Sequence, residues 1–240
     1  MTTNDHLILV GGKTASGKSM CLRNLKDPQG VLYLNCEAGK KLPFKSGFTE
    51  LTITSPEVVK HAFIQAEDKQ KGIHTIVVDS LTFLMDMYES QCVLTATNTM
   101  KAWGNYAQFL KTLMLDLVAK STKNVIFLAH TSDVANEAEM ITETLVKLKG
   151  SIMNTGVESY FTNVISCKRV PTKKLTETND LLTITEDEKL DQFKHVFLTR
   201  LTAETQNERV RAPLGMWERA ETYIDNDIQL VIDRLHKYYA

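Results

Sequence analysis

Leu7-Ile-Leu-Val-Gly-Gly-Lys-Thr-Ala-Ser-Gly-Lys-Ser19 is the stretch on which the fold turns. Leu7 to Val10 is an apolar run with the length of a buried strand, and it breaks into glycines. Gly12, Gly17, Lys18 and Ser19 then satisfy the spacing G-x-x-x-x-G-K-[ST] without a mismatch. Glycines let the backbone curl so that successive N–H groups face a phosphate. A helix starting near Gly17 adds its positive end at the same point. Gly12, Lys13, Thr14, Ala15, Ser16, Gly17, Lys18, Ser19 and Met20 are therefore the expected nucleotide cradle. Lys18 would reach the β- and γ-phosphates, and the Ser19 hydroxyl would ligate Mg²⁺.

Outward from that loop the chain alternates strand and helix. Val31 to Cys36 reads as a second buried strand, with a short strand at residues 51–54. A helix starts at Ser55-Pro56 and carries Val59, Ala62, Phe63 and Ala66 on one face. His74-Thr-Ile-Val-Val-Asp-Ser80 is a third strand, and residues 81–99 are less regular. Met100, Trp103, Ala107, Leu110, Met114 and Leu117 mark a long helix, followed by a fourth strand over residues 124–130. This order predicts an α/β fold with right-handed crossovers and a mainly parallel central sheet flanked by helices. In the C-terminal half, strands are expected at 161–170, 195–201 and 208–212, adding antiparallel pairs. Residues 131–159 read as a polar stretch, 171–192 as a surface hairpin or insertion, and 221–240 as a C-terminal helix. No linker or repeat interrupts the chain, so residues 1–240 are expected to form one domain.

Composition narrows the function. Charged residues balance to a formal net charge of −1, which excludes a strongly basic nucleic-acid binder and leaves only a local patch for such contacts. The four cysteines lack metal-site spacing and several lie in apolar runs, which implies reduced thiols and an intracellular, cytoplasmic setting. No signal segment or apolar run of transmembrane length is present, so no membrane role is expected.

Three residues at the carboxyl ends of expected strands complete a candidate site, because open α/β sheets bind ligands there. Asp79 is placed to hold Mg²⁺ or its water shell, or else to cap the following helix. Glu37 is placed to polarise a water for attack on the γ-phosphate, or is an ordinary exposed loop glutamate. His130 would sit beside the γ-phosphate if its strand lies between the loop strand and the Asp79 strand; otherwise it is a satisfied histidine at a strand end.

Gly12-Lys-Thr-Ala-Ser-Gly-Lys-Ser19, Leu32-Tyr-Leu-Asn-Cys-Glu37, Thr75-Ile-Val-Val-Asp-Ser80 and Val125-Ile-Phe-Leu-Ala-His130 together resemble the RecA-like ATPase core, over roughly residues 5–215. The resemblance implies Mg²⁺-dependent ATP hydrolysis with Glu37 as catalytic base and Lys18 on the phosphates. It implies His130 as γ-phosphate sensor and residues 131–150 as a DNA-contacting loop. Arg209 and Arg211, two apart on an expected strand, resemble the paired basic residues that enter a neighbour's ATP site; a solvated strand face is the alternative. The compact length, the stretch 148–161 and the tail 224–239 are similar to phage-encoded RecA-like proteins of the single-strand annealing type, which would act in the host cytoplasm. The partners so implied are single-stranded DNA through loops near 88–101 and 131–150, further copies of the chain in a ring or filament, and a single-strand DNA-binding protein. Asn98, Lys101 and Trp103 offer a second DNA contact, with Trp103 equally explained as core.

The sequence also departs from that pattern. Glu137, Glu139 and Glu143 oppose Lys147 and Lys149 in the expected DNA loop, where a phosphate-binding surface is ordinarily more basic. A nucleotide-gated regulatory or assembly ATPase without productive DNA binding is therefore the competing expectation. A nucleotide kinase is a third, disfavoured because residues 171–192 carry Lys173 and Lys174 but no arginine.

Overall fold

The computed structural model describes residues 4–69, 72–136, 140–152, 156–175 and 179–240. Its strands are β1 Leu7–Gly12, β2 Val31–Asn35, β3 Thr49–Thr52, β4 Thr75–Asp79, β5 Asn124–Asn136, β6 Ile141–Val146, β7 Asn163–Pro171, β8 Phe193–Leu198 and β9 Tyr223–Asp225. Its α-helices are α1 Pro56–Asp68, α2 Leu81–Tyr88, α3 Thr99–Thr112, α4 Glu186–Asp191 and α5 Ile228–Tyr239. Among the described residues the sheet runs β3-β2-β4-β5-β1-β7-β8-β9, with β6 paired to the far end of β5. The strands from β3 to β7 are parallel, and β7-β8-β9 are antiparallel.

The apolar runs form central strands because both faces of the sheet are covered. Leu7, Leu9, Leu32, Leu34, Ile76, Val78, Val125 and Phe127 face α1, α2 and α3. Ile8, Val10, Tyr33, Val77, Ile126 and Leu128 face the turn after the glycine loop and α5. The stripe Ile228, Val231, Ile232 and Leu235 seals that second face, each side chain contributing about 1.5–3 kcal/mol by leaving water. Helix starts follow local chemistry: the Ser80, Asn98 and Asp227 side chains accept from backbone N–H groups of α2, α3 and α5, and Pro56 opens α1.

Several expectations are corrected. The segment after the loop winds only as a six-residue 3₁₀ turn, Ser19–Asn24, so its dipole is short. Residues 81–99 are mostly helical, α2 continuing into a π turn at Glu89–Val93. More than half of the expected loop at 131–150 is sheet: β5 runs on to Asn136 and pairs antiparallel with β6. Those positions escape apolar patterning because the extension is half-exposed and covers no core. Glu137 and Glu139, between the two strands, lie outside the described residues.

Residues 208–212 form no strand beside β8. Arg211 instead exchanges backbone hydrogen bonds with Val164 of β7, and Glu208 bridges Thr144 of β6. Among the described residues of 171–192 no hairpin forms. A 3₁₀ turn at Thr172–Lys174 and α4, held by a capping box between Thr185 and Glu188, take its place; residues 176–178 lie outside the description. The C-terminal helix starts at Ile228 rather than 221, because Tyr223–Asp225 extends the sheet as β9. Among the described residues no helix is long and apolar enough to cross a membrane. All four cysteines are free, and only Cys92 is exposed.

Candidate active site

Strand register assembles the site. β5 lies between β1 and β4, with Gly12 opposite His130, Leu128 opposite Asp79, and Asp79 opposite Asn35. Four strand ends therefore open on one edge of the sheet, as parallel α/β sheets place their ligand crevice. There, a cleft of about 360 Å³ is walled by the glycine loop from Thr14 to Met20 and by Tyr33, Glu37, Lys40, Lys41, Asp79, His130 and His195, among others.

The loop is braced from behind. The Cys167 thiol donates to Ser16 O at 3.1 Å, Asn226 Nδ2 donates to Gly17 O at 2.9 Å, and His195 Nε2 lies 3.3 Å from Ala15 O. In a trans peptide the N–H points opposite the carbonyl, so bracing these carbonyls turns the Gly17 and Lys18 N–H groups away from β7–β9. Two glycines are structural necessities. A Cβ on Gly12 would meet Ser16 Oγ at 2.4 Å and Cys167 O at 2.6 Å; Gly17 has φ +97°, and its Cβ would meet Asn226 Nδ2 at 2.5 Å.

Lys18 is buried along its length and donates to Gly12 O and Lys13 O at 3.0 Å each. Burial lowers its ammonium pKa from the ordinary value, against the pull of neighbouring acidic groups. Ser16 Oγ is buried without a hydrogen-bond partner, a donor that a phosphate oxygen would satisfy. Lys13 turns outward to Asp133 Oδ2 at 2.6 Å, tying the loop to the extension of β5.

Asp79 and Ser19 meet directly: the Ser19 hydroxyl donates to Asp79 Oδ2 at 2.9 Å, and the Tyr33 hydroxyl donates to the same oxygen at 2.8 Å. Asp79 is 3% exposed, and burial raises its pKa. No lysine or arginine among the described residues lies within ion-pair distance of it. A buried carboxylate supported only by hydroxyls, beside a serine oxygen, is a hard-oxygen set that fits Mg²⁺. Ser80, not Asp79, caps α2, which removes the capping alternative for Asp79.

Glu37 and His130 are joined. His130 Nε2 lies 3.3 Å from Glu37 Oε1, and His130 Nδ1 lies 3.4 Å from Lys18 Nζ. Since an ammonium only donates, both contacts are hydrogen bonds in the tautomer with hydrogen on Nε2; that assignment follows from the partners. Lys40 donates to Glu37 Oε2 at 3.0 Å. Glu37 titrates at about 2, held down first by the His130 hydrogen bond, with burial opposing and Lys40 assisting. The Thr82 hydroxyl receives the His130 backbone N–H at 3.0 Å, and the Phe83 ring stands edge-on to the imidazole at 5.7 Å.

Arg209 and Arg211 are not brought to this cleft. Arg209 lies 3.6 Å from both Glu143 and Glu158, and Arg211 Nη1 reaches Ser159 O at 3.5 Å. Met20 and every loop residue from Thr14 onward line the cleft; Gly12 and Lys13 stand on the opposite side of the loop. The Asn98 side chain caps α3 by accepting from the Lys101 backbone N–H, the Lys101 residue is exposed, and Trp103 packs half-buried on the core, as its place on the helix stripe implies. Sequence reading missed Tyr33, Lys40, Cys167, His195 and Asn226. Tyr33 carried a faint signal, a phenol in an otherwise apolar strand, and Lys40 meets Glu37 only three residues away, whereas Cys167, His195 and Asn226 meet the loop only through the fold.

The sequence model of a protein family described as an AAA domain matches residues 5–191, from just before β1 to the end of α4. No curated protein matches the chain. His195 and Asn226, two of the braces behind the loop, lie beyond the matched segment.

Proposed function

The chain belongs to the AAA domain family of nucleotide-binding ATPases, and from that premise we propose an ATP- and Mg²⁺-dependent hydrolase of RecA type that acts on single-stranded DNA in recombination or annealing. The observation that carries the hydrolytic part is the convergence of Lys18, Ser19, Asp79, Glu37 and His130 on one cleft. Ser19 and Asp79 would hold the metal ion, whose charge neutralises that building on the phosphates. Lys18 and the loop amides hold the phosphates, and Glu37 orients the attacking water and receives its proton. His130 keeps the Glu37 carboxylate in place and touches Lys18, so a change at the phosphates reaches β5. Beyond His130, β5 continues without a break into its pairing with β6. A ring or filament of copies of this chain, with Arg209 or Arg211 reaching a neighbour's phosphates, and a single-strand DNA-binding protein as accessory, complete the reading.

One observation favours the competing reading, a nucleotide-gated assembly ATPase. Two of the cations near the β5–β6 pair are balanced within the chain: Lys149 meets Glu89 at 2.5 Å, and Arg209 lies between Glu143 and Glu158. Anisotropy of a labelled single strand, measured with a non-hydrolysable ATP analogue across a salt series, separates the two. The DNA reading expects nucleotide-strengthened binding that weakens steadily with salt. Absence of binding at low salt overturns it in favour of the assembly ATPase.

A further inference from the structure

Lys40, on the turn that follows β2, lines the cleft together with the glycine loop. The turn that carries it is built around Asn35, which is fully buried at the end of β2. Asn35 Oδ1 accepts from Glu37 N at 3.0 Å, and its Nδ2 donates to Lys40 O at 3.0 Å and to Glu50 Oε1 at 2.8 Å. Lys40 N donates to Glu37 O at 3.1 Å, and the left-handed residues Ala38 (φ 54°) and Gly39 (φ 76°) close the turn. The backbone of Lys40 is thus fixed while its side chain is 72% exposed.

That geometry engages both oxygens of Glu37. His130 Nε2 at 3.3 Å and the Ser80 hydroxyl at 3.4 Å share Oε1, and Lys40 alone of these donors occupies Oε2. Each donor favours the ionised form, so the carboxylate is a weaker base toward a proton from water while both oxygens are engaged. The Lys40 contact is also the exchangeable one, because an ion pair on so exposed a lysine is weak. Lys18, by contrast, is held inward on two carbonyl oxygens.

We propose that Lys40 is a cation supplied within the same chain for the terminal phosphate: when a nucleoside triphosphate fills the cleft, the ammonium leaves Glu37 Oε2 for the phosphate oxygens, and the base is unmasked in the same movement. The exchange breaks one hydrogen-bonded ion pair and forms another, with no change in covalent bonds or protonation. A diphosphate offers no terminal group at that place, so Lys40 remains on Glu37 and the base stays covered. The inference rests on the reading of the cleft as an ATP site, and it gives that site discrimination between ATP and ADP without a neighbouring subunit.

Equilibrium binding of ADP and of a non-hydrolysable ATP analogue tests it in the full chain and in the Lys40→Ala, Lys40→Arg, Glu37→Gln and doubly substituted Glu37→Gln, Lys40→Ala variants. Lys40→Ala is expected to weaken the triphosphate about fivefold, the scale of one partly exposed charge contact, and ADP less than about twofold. Lys40→Arg restores the triphosphate. Glu37→Gln frees the ammonium in advance and tightens the triphosphate about threefold, a gain that vanishes in the double variant. Equal weakening of both nucleotides, no weakening of either, or a gain that survives in the double variant would overturn the proposal. If the unsubstituted chain binds neither nucleotide, the ATP reading falls and the proposal with it. If it binds both and only the triphosphate selectivity of Lys40 is missing, the Lys40 proposal falls alone.

Discussion

Glu37 and His130 form one unit: Nε2 of the imidazole lies 3.3 Å from the carboxylate, and the other ring nitrogen lies 3.4 Å from Lys18. The candidate base is therefore positioned by the group that also touches the phosphate lysine. His130→Ala is expected to lower kcat about tenfold or more while leaving KM for ATP within about twofold, the signature of an interaction that matters only during reaction. Steady-state hydrolysis measures both; a rise in KM with unchanged kcat would contradict the positioning role.

The same contact has a pH consequence. The folded Glu37 carboxyl titrates at about 2, below its ordinary value of 4.5. A depressed carboxylate stabilises the fold fully above the unfolded value and loses that contribution as pH falls through the folded one. The urea midpoint of the unsubstituted chain should exceed that of Glu37→Gln at pH 6, and the gap should narrow as pH falls from about 4.5 toward 2. A gap that is constant across this window would contradict the pairing.

Tyr33 has no assigned chemistry in the sequence, yet its hydroxyl is one of two donors on the buried Asp79 carboxylate. Tyr33→Phe removes a hydrogen bond to a charged acceptor and should cost about 1.5–3 kcal/mol of stability, read from the urea midpoint. The Mg²⁺ concentration for half-maximal hydrolysis should shift as well, since Asp79 loses part of its orientation.

Gly12 sits where β1 gives way to the loop, with Ser16 Oγ and Cys167 O within 2.6 Å of any added methyl. Gly12→Ala must displace backbone rather than a flexible side chain, at about 1–3 kcal/mol. Nucleotide binding should fall with it, because the loop's braced carbonyls and its inward amides move together. Thermal unfolding and nucleotide titration on the same sample check both effects.

How much was legible beforehand depended on burial. β1, β2, β4 and β5 announce themselves as apolar runs because helices cover both of their faces. The residues that end them, Glu37, Asp79 and His130, stand out against that background. The outer half of β5 escapes because it is half-exposed and covers no core, and β6 escapes because only its last residues, Thr144 to Val146, are buried, too few for a period-two signal. Residues 208–212 carry an alternating pattern, yet they dock on β6 and β7 by single bridges, a choice made by tertiary neighbours. The braces behind the loop join residues up to 209 positions apart, and no local spacing encodes such contacts.

The central claim is that Glu37, ending β2, orients the water attacking a triphosphate held by the glycine loop. Single-turnover ATP hydrolysis and ATP binding, measured together on the unsubstituted chain and on Glu37→Gln, test it most directly. The account predicts that Glu37→Gln binds ATP at least as tightly as the unsubstituted chain and hydrolyses it slower by about two orders of magnitude or more. Hydrolysis by Glu37→Gln at the unsubstituted rate would contradict it.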